Sequence, residues 1–356
     1  MKTLSQFASE IKNLPVATSW YLADLGEARG MQELFTKQTP QKLKALREHA
    51  LIESTISSNR MEGVEVGQGR IGTVLFGRSQ LRDRNEEEVR GYRNALRIIH
   101  EQGKQLSITE ETICKVHYLA RGEIGDAGKY KKKDSDIIEK YSNGHERVRF
   151  KTIKATETPV FMTELTTMWD RCLMERWIHP LVAMAGFNLD FLCIHPFRDG
   201  NGRVSRLLLL LQLYQAGYEV GRYISLEKLI EQNKERYDET LEESSQHWHE
   251  GKHDPWPYVN FLLFILKLAY NEFKQRAIQI KSPRGAKTEL VKEVIDSFTG
   301  DFTLSTIEQK CLSVSRDMIR RVLRMLKKAG KVECLGRGPG AIWRNSKNKG
   351  NVLKRG

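Results

Sequence analysis

Apolar side chains recur at helical spacing along most of the chain before residue 281, with polar residues between them. This spacing predicts amphipathic helices. Two of the predicted helices, Pro180–Ile194 and Gly202–Ala216, contain the strongly apolar stretches Leu181–Ile194 and Leu207–Tyr214. The other helices predicted in this part span Gln41–Gly63, Glu86–Gln102, Thr109–Arg121, Thr158–Arg176, Leu226–Gln246 and Pro257–Lys274.

The pattern changes over residues 134–154. Apolar Ile137 and Ile138 and the alternating segment Arg147–Phe150 flank an Asn143-Gly144 pair. Asn-Gly between such segments is a strong hairpin signal, so we predict a β-hairpin in an otherwise helical protein. Earlier in the chain, Gly67–Gly72 fits the GxGxxG pattern but has no strand before it, and we predict a flexible loop there.

The chain after residue 281 has its own organisation. Three helices are predicted, followed by two short strands that alternate apolar and polar residues, and this order resembles a winged helix-turn-helix module. The predicted elements are Thr288–Phe298, Thr306–Lys310, Ser315–Ala329, Val332–Leu335 and Ala341–Trp343. The polar stretch Lys281–Gly285 contains Pro and Gly and predicts a linker before them.

The positive charge is concentrated in this last part. The chain has 58 Lys and Arg against 45 Asp and Glu, a net charge of +13, and residues 281–356 hold 18 of the basic but only 7 of the acidic residues. Such an excess indicates a polyanionic partner. We predict DNA binding through the third helix and the wing, although a solvated basic helix in a protein-interaction module is the alternative. The candidate residues are Arg316, Arg320, Arg321, Arg324, Lys327 and Arg337.

The composition, 40% hydrophobic and 29% charged, is typical of a globular protein, and no stretch suits a membrane or a signal peptide. The five cysteines are scattered and form no CxxC pair, which argues against a disulfide framework or a zinc site. We therefore expect a cytoplasmic protein that has no membrane partner and whose cysteines serve as small buried hydrophobes. Homo-oligomerisation is left open.

Candidate chemistry lies between the two strongly apolar helices, in the segment His195–Arg206. Gly200 and Gly202 bracket Asn201, so backbone N–H groups can close on a phosphate without obstruction by side chains. The helix that starts near Gly202 offers its unpaired N–H groups and its dipole to an anion. This arrangement predicts a phosphate site.

Charged residues complete the set. Arg203 and Arg206 are three apart on one helix face and can reach phosphate oxygens, and Asp199 is a hard oxygen ligand suited to Mg²⁺. His195 can act as a general base. Together they describe the transfer of a phosphate-bearing group from a nucleotide to a hydroxyl. The simpler alternative is that the arginines form structural ion pairs and the histidine caps a helix.

The sequence His195-Pro196-Phe197-Arg198-Asp199-Gly200-Asn201-Gly202-Arg203-Val204-Ser205-Arg206 resembles the Fic family signature HPFx[DE]GNGRxxR at every specified position. The resemblance implies protein adenylylation, in which AMP moves from ATP to a Ser, Thr or Tyr hydroxyl and pyrophosphate is released. It implies that His195 deprotonates the hydroxyl and that Asp199 holds Mg²⁺.

The same resemblance assigns the α- and β-phosphates to Asn201, the amides of Gly200 and Gly202, and Arg203, and the γ-phosphate to Arg206. Phe197 would be a core anchor. Doc-type relatives that phosphorylate their targets carry Lys where this chain has Gly202, so the small residue favours adenylyl transfer. The motif does not distinguish this from phosphocholine transfer.

An upstream segment, Ser58-Asn59-Arg60-Met61-Glu62-Gly63, is similar to the family's inhibitory pattern [ST]xxxE[GN]. Glu62 ends a predicted helix, where the dipole disfavours an anion, and a cationic partner, Arg60 or water would relieve this. The resemblance implies a Glu62–Arg206 salt bridge that occupies the γ-phosphate site and autoinhibits the enzyme. In some relatives the equivalent glutamate supports removal of AMP.

The hairpin, represented by Asp136, Ile137 and Ile138, corresponds in position to the family's flap, where a target segment would dock by strand addition. An ordinary surface hairpin is the alternative. Tyr237 and Trp248 are candidates to flank the adenine, although aromatics at helical spacing more often belong to the core.

The fold predicted from these features is mainly α: a Fic-type helical core with a β-hairpin flap and a C-terminal winged helix-turn-helix domain. The predicted boundaries are an N-terminal helical region with the inhibitory helix at 1–105, the catalytic domain at 106–276, a linker at 277–286, the winged helix at 287–346 and a basic tail at 347–356.

The predicted function is that of an autoinhibited protein adenylyltransferase that uses ATP and Mg²⁺ and modifies a target protein or itself. Two alternatives stay open: a DNA-binding regulator whose core senses nucleotide, and an enzyme acting mainly in AMP removal. His195 and Asp199 favour an enzyme, because a sensor needs no base.

Overall fold

The computed structural model of the chain describes most of its residues and divides them into two compact units, Met1–Gln275 and Arg276–Gly356. The described residues are 1–9, 13–36, 40–77, 80–122, 125–140, 144–279, 286–296, 298, 300–311, 314–336, 338 and 340–346. None of the described helices is long and apolar enough to cross a membrane.

The first unit is built almost entirely from helices around one core. Its α-helices are α1 Lys2–Ala8, α2 Val16–Thr36, α3 Pro40–Met61, α4 Gln68–Phe76, α5 Arg84–Gln102, α6 Glu110–Arg121, α7 Thr158–Met174, α8 Pro180–Ile194, α9 Asn201–Gln215, α10 Leu226–Gln232, α11 Lys234–Ser245 and α12 Trp256–Gln279. A short 3₁₀ helix, Val220–Arg222, follows α9.

The central pair of this unit is α8 and α9. Residues Leu181–Ile194 of α8 are all buried, as expected for a helix that is apolar on every side, and α8 packs against α1, α7 and α9. Capping fixes where the surrounding helices begin. Asp83 accepts a hydrogen bond from the backbone N–H of Glu86 at the start of α5, and Thr109 accepts one from Thr112 at the start of α6.

The hairpin consists of β1 Ile137–Lys140 and β2 Glu146–Phe150, which pair antiparallel with Ile138 opposite Val148. The prediction of a mainly helical unit that contains one β-hairpin is confirmed. The Asn143 half of the predicted Asn-Gly turn lies outside the described residues.

Two predictions for the first unit are wrong in detail. Gly67–Gly72 is not a loop, because most of it forms the start of α4, whose Val74 and Leu75 are buried. The single helix predicted over Leu226–Gln246 is two helices, because Asn233 leaves helical geometry (φ −117°, ψ 32°). The helices α1 and α2 were not predicted.

The second unit has a separate apolar core. Its elements are α13 Ala286–Asp296, β3 Phe302–Thr303, α14 Leu304–Lys310, α15 Arg316–Lys328, β4 Val332–Cys334 and β5 Ile342–Asn345, with the antiparallel sheet order β3-β5-β4. Ile319, Val322, Leu323 and Leu326 form the buried side of α15. The predicted linker and basic tail lie largely outside the described residues.

The cysteine prediction holds only in part. All five are free thiols, but only Cys172, Cys193 and Cys311 are buried. Cys114 on α6 and Cys334 on β4 are partly exposed.

Candidate active site

The segment between α8 and α9, residues 195–200, is called the motif loop here. It turns on two left-handed residues, His195 (φ 53°) and Gly200 (φ 82°). Phe197 is fully buried. The side chain of Asn201 accepts a hydrogen bond from the Phe197 N–H at 2.9 Å and donates one to the Phe197 carbonyl at 2.7 Å.

This pairing corrects one expectation. The Asn201 side chain is buried and both ends of its amide are used to hold the motif loop, so only its backbone N–H is left to meet a phosphate. Gly200 and Asn201 begin α9, where unpaired N–H groups and the helix dipole favour an anion.

His117 on α6 supports the motif loop from the other side. Its ring stacks on Phe197 with centroids 3.8 Å apart, and its Nδ1 accepts a hydrogen bond from the Gly128 N–H at 2.8 Å. Nε2 therefore carries the proton and donates to the Asp199 carbonyl at 3.0 Å. Burial lowers the pKa of His117 to about 4, so the ring is neutral near pH 7.

His195 is also neutral near pH 7. Burial, with the nearby ammonium of Lys131, lowers its pKa to about 4, against the opposing influence of the Leu192 carbonyl and of Glu62 and Asp199. A neutral imidazole can accept a proton, which is the property that a general base requires.

Arg203 is buried and paired. It donates to the carboxylate of Glu88 on α5 and, at 3.3 Å, to Asn59 of α3. Glu88, which is 1% exposed, also accepts from Arg84 at 2.7 Å and from Arg121 at 2.8 Å. We call Glu88 with these three arginines the Glu88 cluster.

Asp199 lies beside this cluster with 46% of its side chain exposed. Its carboxylate accepts from Arg121 at 2.8 Å and from Arg84 at 3.2 Å. Burial alone would raise the pKa of Asp199, but Arg121 and Arg203 outweigh it and the net pKa is lowered. Asp199 is therefore an ionised oxygen ligand.

One such carboxylate fits a magnesium ion that arrives with nucleotide phosphates, because Mg²⁺ commonly takes one or two carboxylates and completes its shell with phosphate and water. Within the described ranges, no group of three or more His, Cys, Asp or Glu side chains could hold a metal ion.

Arg206 is 4% exposed, and its guanidinium is held by the end of α3. It donates to the hydroxyl of Ser58 at 2.8 Å, to the Ser58 carbonyl at 2.9 Å and to the Glu62 carboxylate at 2.8 Å. Burial opposes the charge of Arg206, but Glu62 raises its pKa above the ordinary value.

The Glu62 carboxylate also lies directly against the first turn of α9. A Cβ added at Gly202 would collide with it, so a larger residue at position 202 would require the carboxylate to shift. Gly63 (φ 74°) ends the segment. The predicted Glu62–Arg206 salt bridge is therefore present, and it places an anion at the start of α9.

The hairpin is tied to α11 by its arginines. Arg147 contacts Glu242 at 2.7 Å, and Arg149 pairs with Asp238 and Glu242. Ile138 and Val148 are about half exposed, while Asp136 accepts a hydrogen bond from the Thr152 N–H at 3.3 Å.

The two aromatic candidates lie in the core. Trp248 is fully buried and its N–H donates to Asp190 at 2.6 Å, so the prediction that it flanks the adenine is wrong. Tyr237 is buried as well, with its ring 6.0 Å from that of Tyr258. It does influence the pKa of Arg206, so it lies near the site but presents no open face.

The basic candidates of the second unit share the exposed side of α15. These residues are Arg316, Arg320, Arg321, Arg324 and Lys327. Arg316 pairs with Glu308 at 3.2 Å and Arg320 with Asp317 at 3.5 Å. Arg337 lies outside the described residues.

Sequence reasoning missed Glu88, Arg121, His117 and Lys131. Each lies on an element remote in sequence from the motif, and no spacing signal connects it to residues 195–206. One general reason to look for carboxylate partners was available from the sequence, namely that the two arginines of the motif could form structural ion pairs.

Residues 107–213 match the Fic/DOC family. No curated protein matches the chain in sequence. Among solved structures, a Fic family protein from Desulfovibrio desulfuricans is similar with a TM-score of 0.62 at 24% identity, covering 94% of this chain and 97% of that one.

Two further structures share the fold. A Fic domain containing signaling protein from Bacteroides thetaiotaomicron has a TM-score of 0.60 at 21% identity, over 72% of this chain and 97% of its own. Fic-1 from C. elegans has a TM-score of 0.57 at 18% identity, over 75% of this chain and 76% of its own. The chain therefore carries a Fic/DOC family domain in a fold shared with other Fic proteins.

Proposed function

We propose that the chain is a protein adenylyltransferase. The observation that carries the proposal is the arrangement of the motif loop, which holds the neutral imidazole of His195, the ionised Asp199 and the N-terminus of α9 in one rigid segment. Fic domains typically transfer a nucleoside monophosphate to proteins, and the small Gly202 favours AMP as the group transferred.

In the proposed reaction, His195 takes the proton of a target Ser, Thr or Tyr hydroxyl. The hydroxyl oxygen bonds to the α-phosphorus of ATP, the bond from that phosphorus to the β-bridging oxygen breaks, and pyrophosphate leaves with the electron pair. The N–H groups at the start of α9 and the guanidiniums of Arg203 and Arg206 would bind the phosphates. Asp199 would hold Mg²⁺, which when bound offsets phosphate charge.

The test is transfer of label from [α-³²P]ATP to protein, together with an intact-mass increase of one AMP. We expect labelling of a lysate protein or of the chain itself, and its loss in His195→Ala. Label from [γ-³²P]ATP would indicate phosphorylation, and a phosphocholine mass increase would indicate the other related transfer; either would contradict the proposal.

We further propose that Glu62 keeps the enzyme inhibited. Its carboxylate holds the guanidinium that would bind the γ-phosphate and lies against the α9 N-terminus, so ATP must compete with it. Glu62→Gly should label more strongly than the wild type in the same assay. Equal labelling by the two proteins would contradict inhibition.

The same two proteins test the alternative of AMP removal. A Glu62-dependent release of AMP from pre-labelled protein, with no gain in labelling for Glu62→Gly, would favour that activity. Nucleotide binding without label in either protein would favour a nucleotide sensor.

A second function, DNA binding by residues 276–356, is supported by one observation. The helix α15 buries its apolar side in the second unit's core and exposes six basic side chains on the other. The order of helices and strands in the second unit also resembles that of a winged helix. We expect the full chain to bind duplex DNA with steep salt dependence, and to lose it in Arg321→Ala/Arg324→Ala. Salt-insensitive binding would count against this function.

We also propose the partner and the compartment of the enzyme. Its partner is a protein with an acceptor hydroxyl. Its compartment is the cytoplasm, whose reducing conditions fit the five free thiols.

A further inference from the structure

Lys131 lies just before the hairpin and touches both neighbours of His195. Its backbone N–H donates to the Pro196 carbonyl at 2.8 Å. Its ammonium donates to the Ile194 carbonyl at 3.3 Å and to the Thr152 hydroxyl at 2.7 Å. The residue therefore holds the chain on each side of the imidazole.

The ammonium is unusual in its surroundings. Lys131 is 5% exposed, and among the residues that the structure describes its ammonium contacts the neutral oxygens of Thr152 and Ile194 rather than a carboxylate. Burial lowers its pKa to about 8, although Asp134 and Asp136 act in the opposite direction. Burying a charge that is not ion-paired costs stability, so a fold that keeps one there gains something else from it.

The gain lies at His195. The charged groups that influence its imidazole are Lys131, Glu62 and Asp199. The two carboxylates favour a protonated ring, whereas the ammonium disfavours one. A ring that is already protonated cannot accept a proton from a hydroxyl.

We propose that Lys131 is a positioning residue for His195: it fixes the backbone on both sides of the imidazole and its charge keeps the ring free to accept a proton. This inference rests on the proposed function for its purpose, but its physical content concerns only the two side chains.

Thr152 extends the arrangement to the hairpin. Its hydroxyl donates to the Ser135 carbonyl at 2.7 Å while accepting from Lys131, and its backbone N–H donates to Asp136. The base of the hairpin and the His195 backbone are thus joined through one ammonium.

The test is NMR titration of the full chain labelled with ¹³C-histidine, in which the His195 resonance is the one missing from His195→Ala. In Lys131→Met we expect the pKa of His195 to rise by about one unit, because an adjacent cation is lost. Lys131→Arg should restore the low value. Lys132→Met is the matched control, since this neighbouring lysine is exposed and should leave the titration unchanged.

An unchanged pKa of His195 in Lys131→Met, or an equal rise in Lys132→Met, would overturn the proposal. Where Lys131→Met does not fold, Lys131→Gln takes its place with the same expectation. The titration does not require turnover, so the two proposals can fail separately. If the pKa of His195 shifts but the chain never labels protein, the missing label contradicts the proposed function and the shifted pKa supports this inference.

The activity readout separates charge from structure. In the Glu62→Gly background, the labelling rate is measured as a function of pH. The pH at which the rate falls on the acid side should rise in Lys131→Met by as much as the pKa of His195 rises. In Lys131→Arg this pH should return to its original value. A uniform loss of rate at every pH, with no change in the pH at which the rate falls, would contradict the electrostatic role.

Discussion

Arg203 and Arg206 lie one turn apart on α9 and both are buried, yet the glutamates that pair with them are held very differently. Glu88 is 1% exposed and is shared among three guanidiniums. Glu62 is 25% exposed, directly follows the last residue of α3 and contacts one arginine. The comparison suggests that Glu88 belongs to the framework of the site, whereas Glu62 is a counterion that another anion can replace.

The largest effect is expected from Glu88→Gln, which tests whether Glu88 belongs to the framework. It leaves three neighbouring guanidiniums without their shared carboxylate, and loss of a buried partner of this kind typically costs about 3–5 kcal/mol. We expect that loss in the free energy of unfolding of the first unit, measured with urea at pH 7. Glu87→Gln, at an exposed neighbouring position, should change it little. Equal effects of the two changes would remove Glu88 from the framework.

The pH dependence of stability tests another residue of the framework, His117. Its folded pKa of about 4 lies below the unfolded value of 6.5, so its contribution to stability is complete above pH 6.5 and is lost as the pH falls towards 4. The loss should reach about 2 kcal/mol by pH 5. His117→Gln should flatten the dependence of Tm on pH between 7 and 5, whereas His49→Gln, at an exposed position, should not.

Replacing Glu62 tests the exchangeable side of the comparison. Glu62→Gly frees the guanidinium of Arg206, and we expect Mg·ATP to bind at least about tenfold more tightly by calorimetry, or about 1.4 kcal/mol. Glu65→Gly, three residues further and exposed, is the control. Unchanged affinity in Glu62→Gly would mean that the carboxylate does not compete with nucleotide.

The smallest effect is expected from the outer ion pair that anchors the end of α3. Arg60 donates to Glu231 at 2.5 and 3.0 Å but is half exposed, and pairs of this kind contribute about 0.2–1 kcal/mol. Arg60→Ala should strengthen nucleotide binding by no more than a few-fold, and Glu231→Ala should add nothing to it. Additive effects of the two changes would show that the pair does not hold Glu62.

The sequence was most informative where the chemistry is local. The motif loop, the helix start that follows it and the Glu62–Arg206 contact could be predicted because they depend on short sequence patterns. The helices α8 and α9 could be predicted because they contain the strongly apolar stretches Leu181–Ile194 and Leu207–Tyr214.

The features that could not be predicted from the sequence depend on tertiary contacts. The pairing of Arg203 with Glu88 joins residues 115 positions apart, and nothing in the local pattern distinguishes Glu88 from Glu87. Trp248 was a candidate for adenine binding until the structure placed its N–H on the buried Asp190. Asn201 was assigned to phosphate, but its side chain imitates a peptide group and binds Phe197.

The position of Glu62 on the same chain as its arginine has a quantitative consequence. A tethered ligand acts at an effective concentration set by the length and stiffness of its tether, on the order of millimolar for short flexible links. The nucleotide therefore meets an internal competitor whose strength depends on how firmly α3 is docked. Small changes in the packing of α3, far from the reacting atoms, would set the ATP concentration at which the site fills.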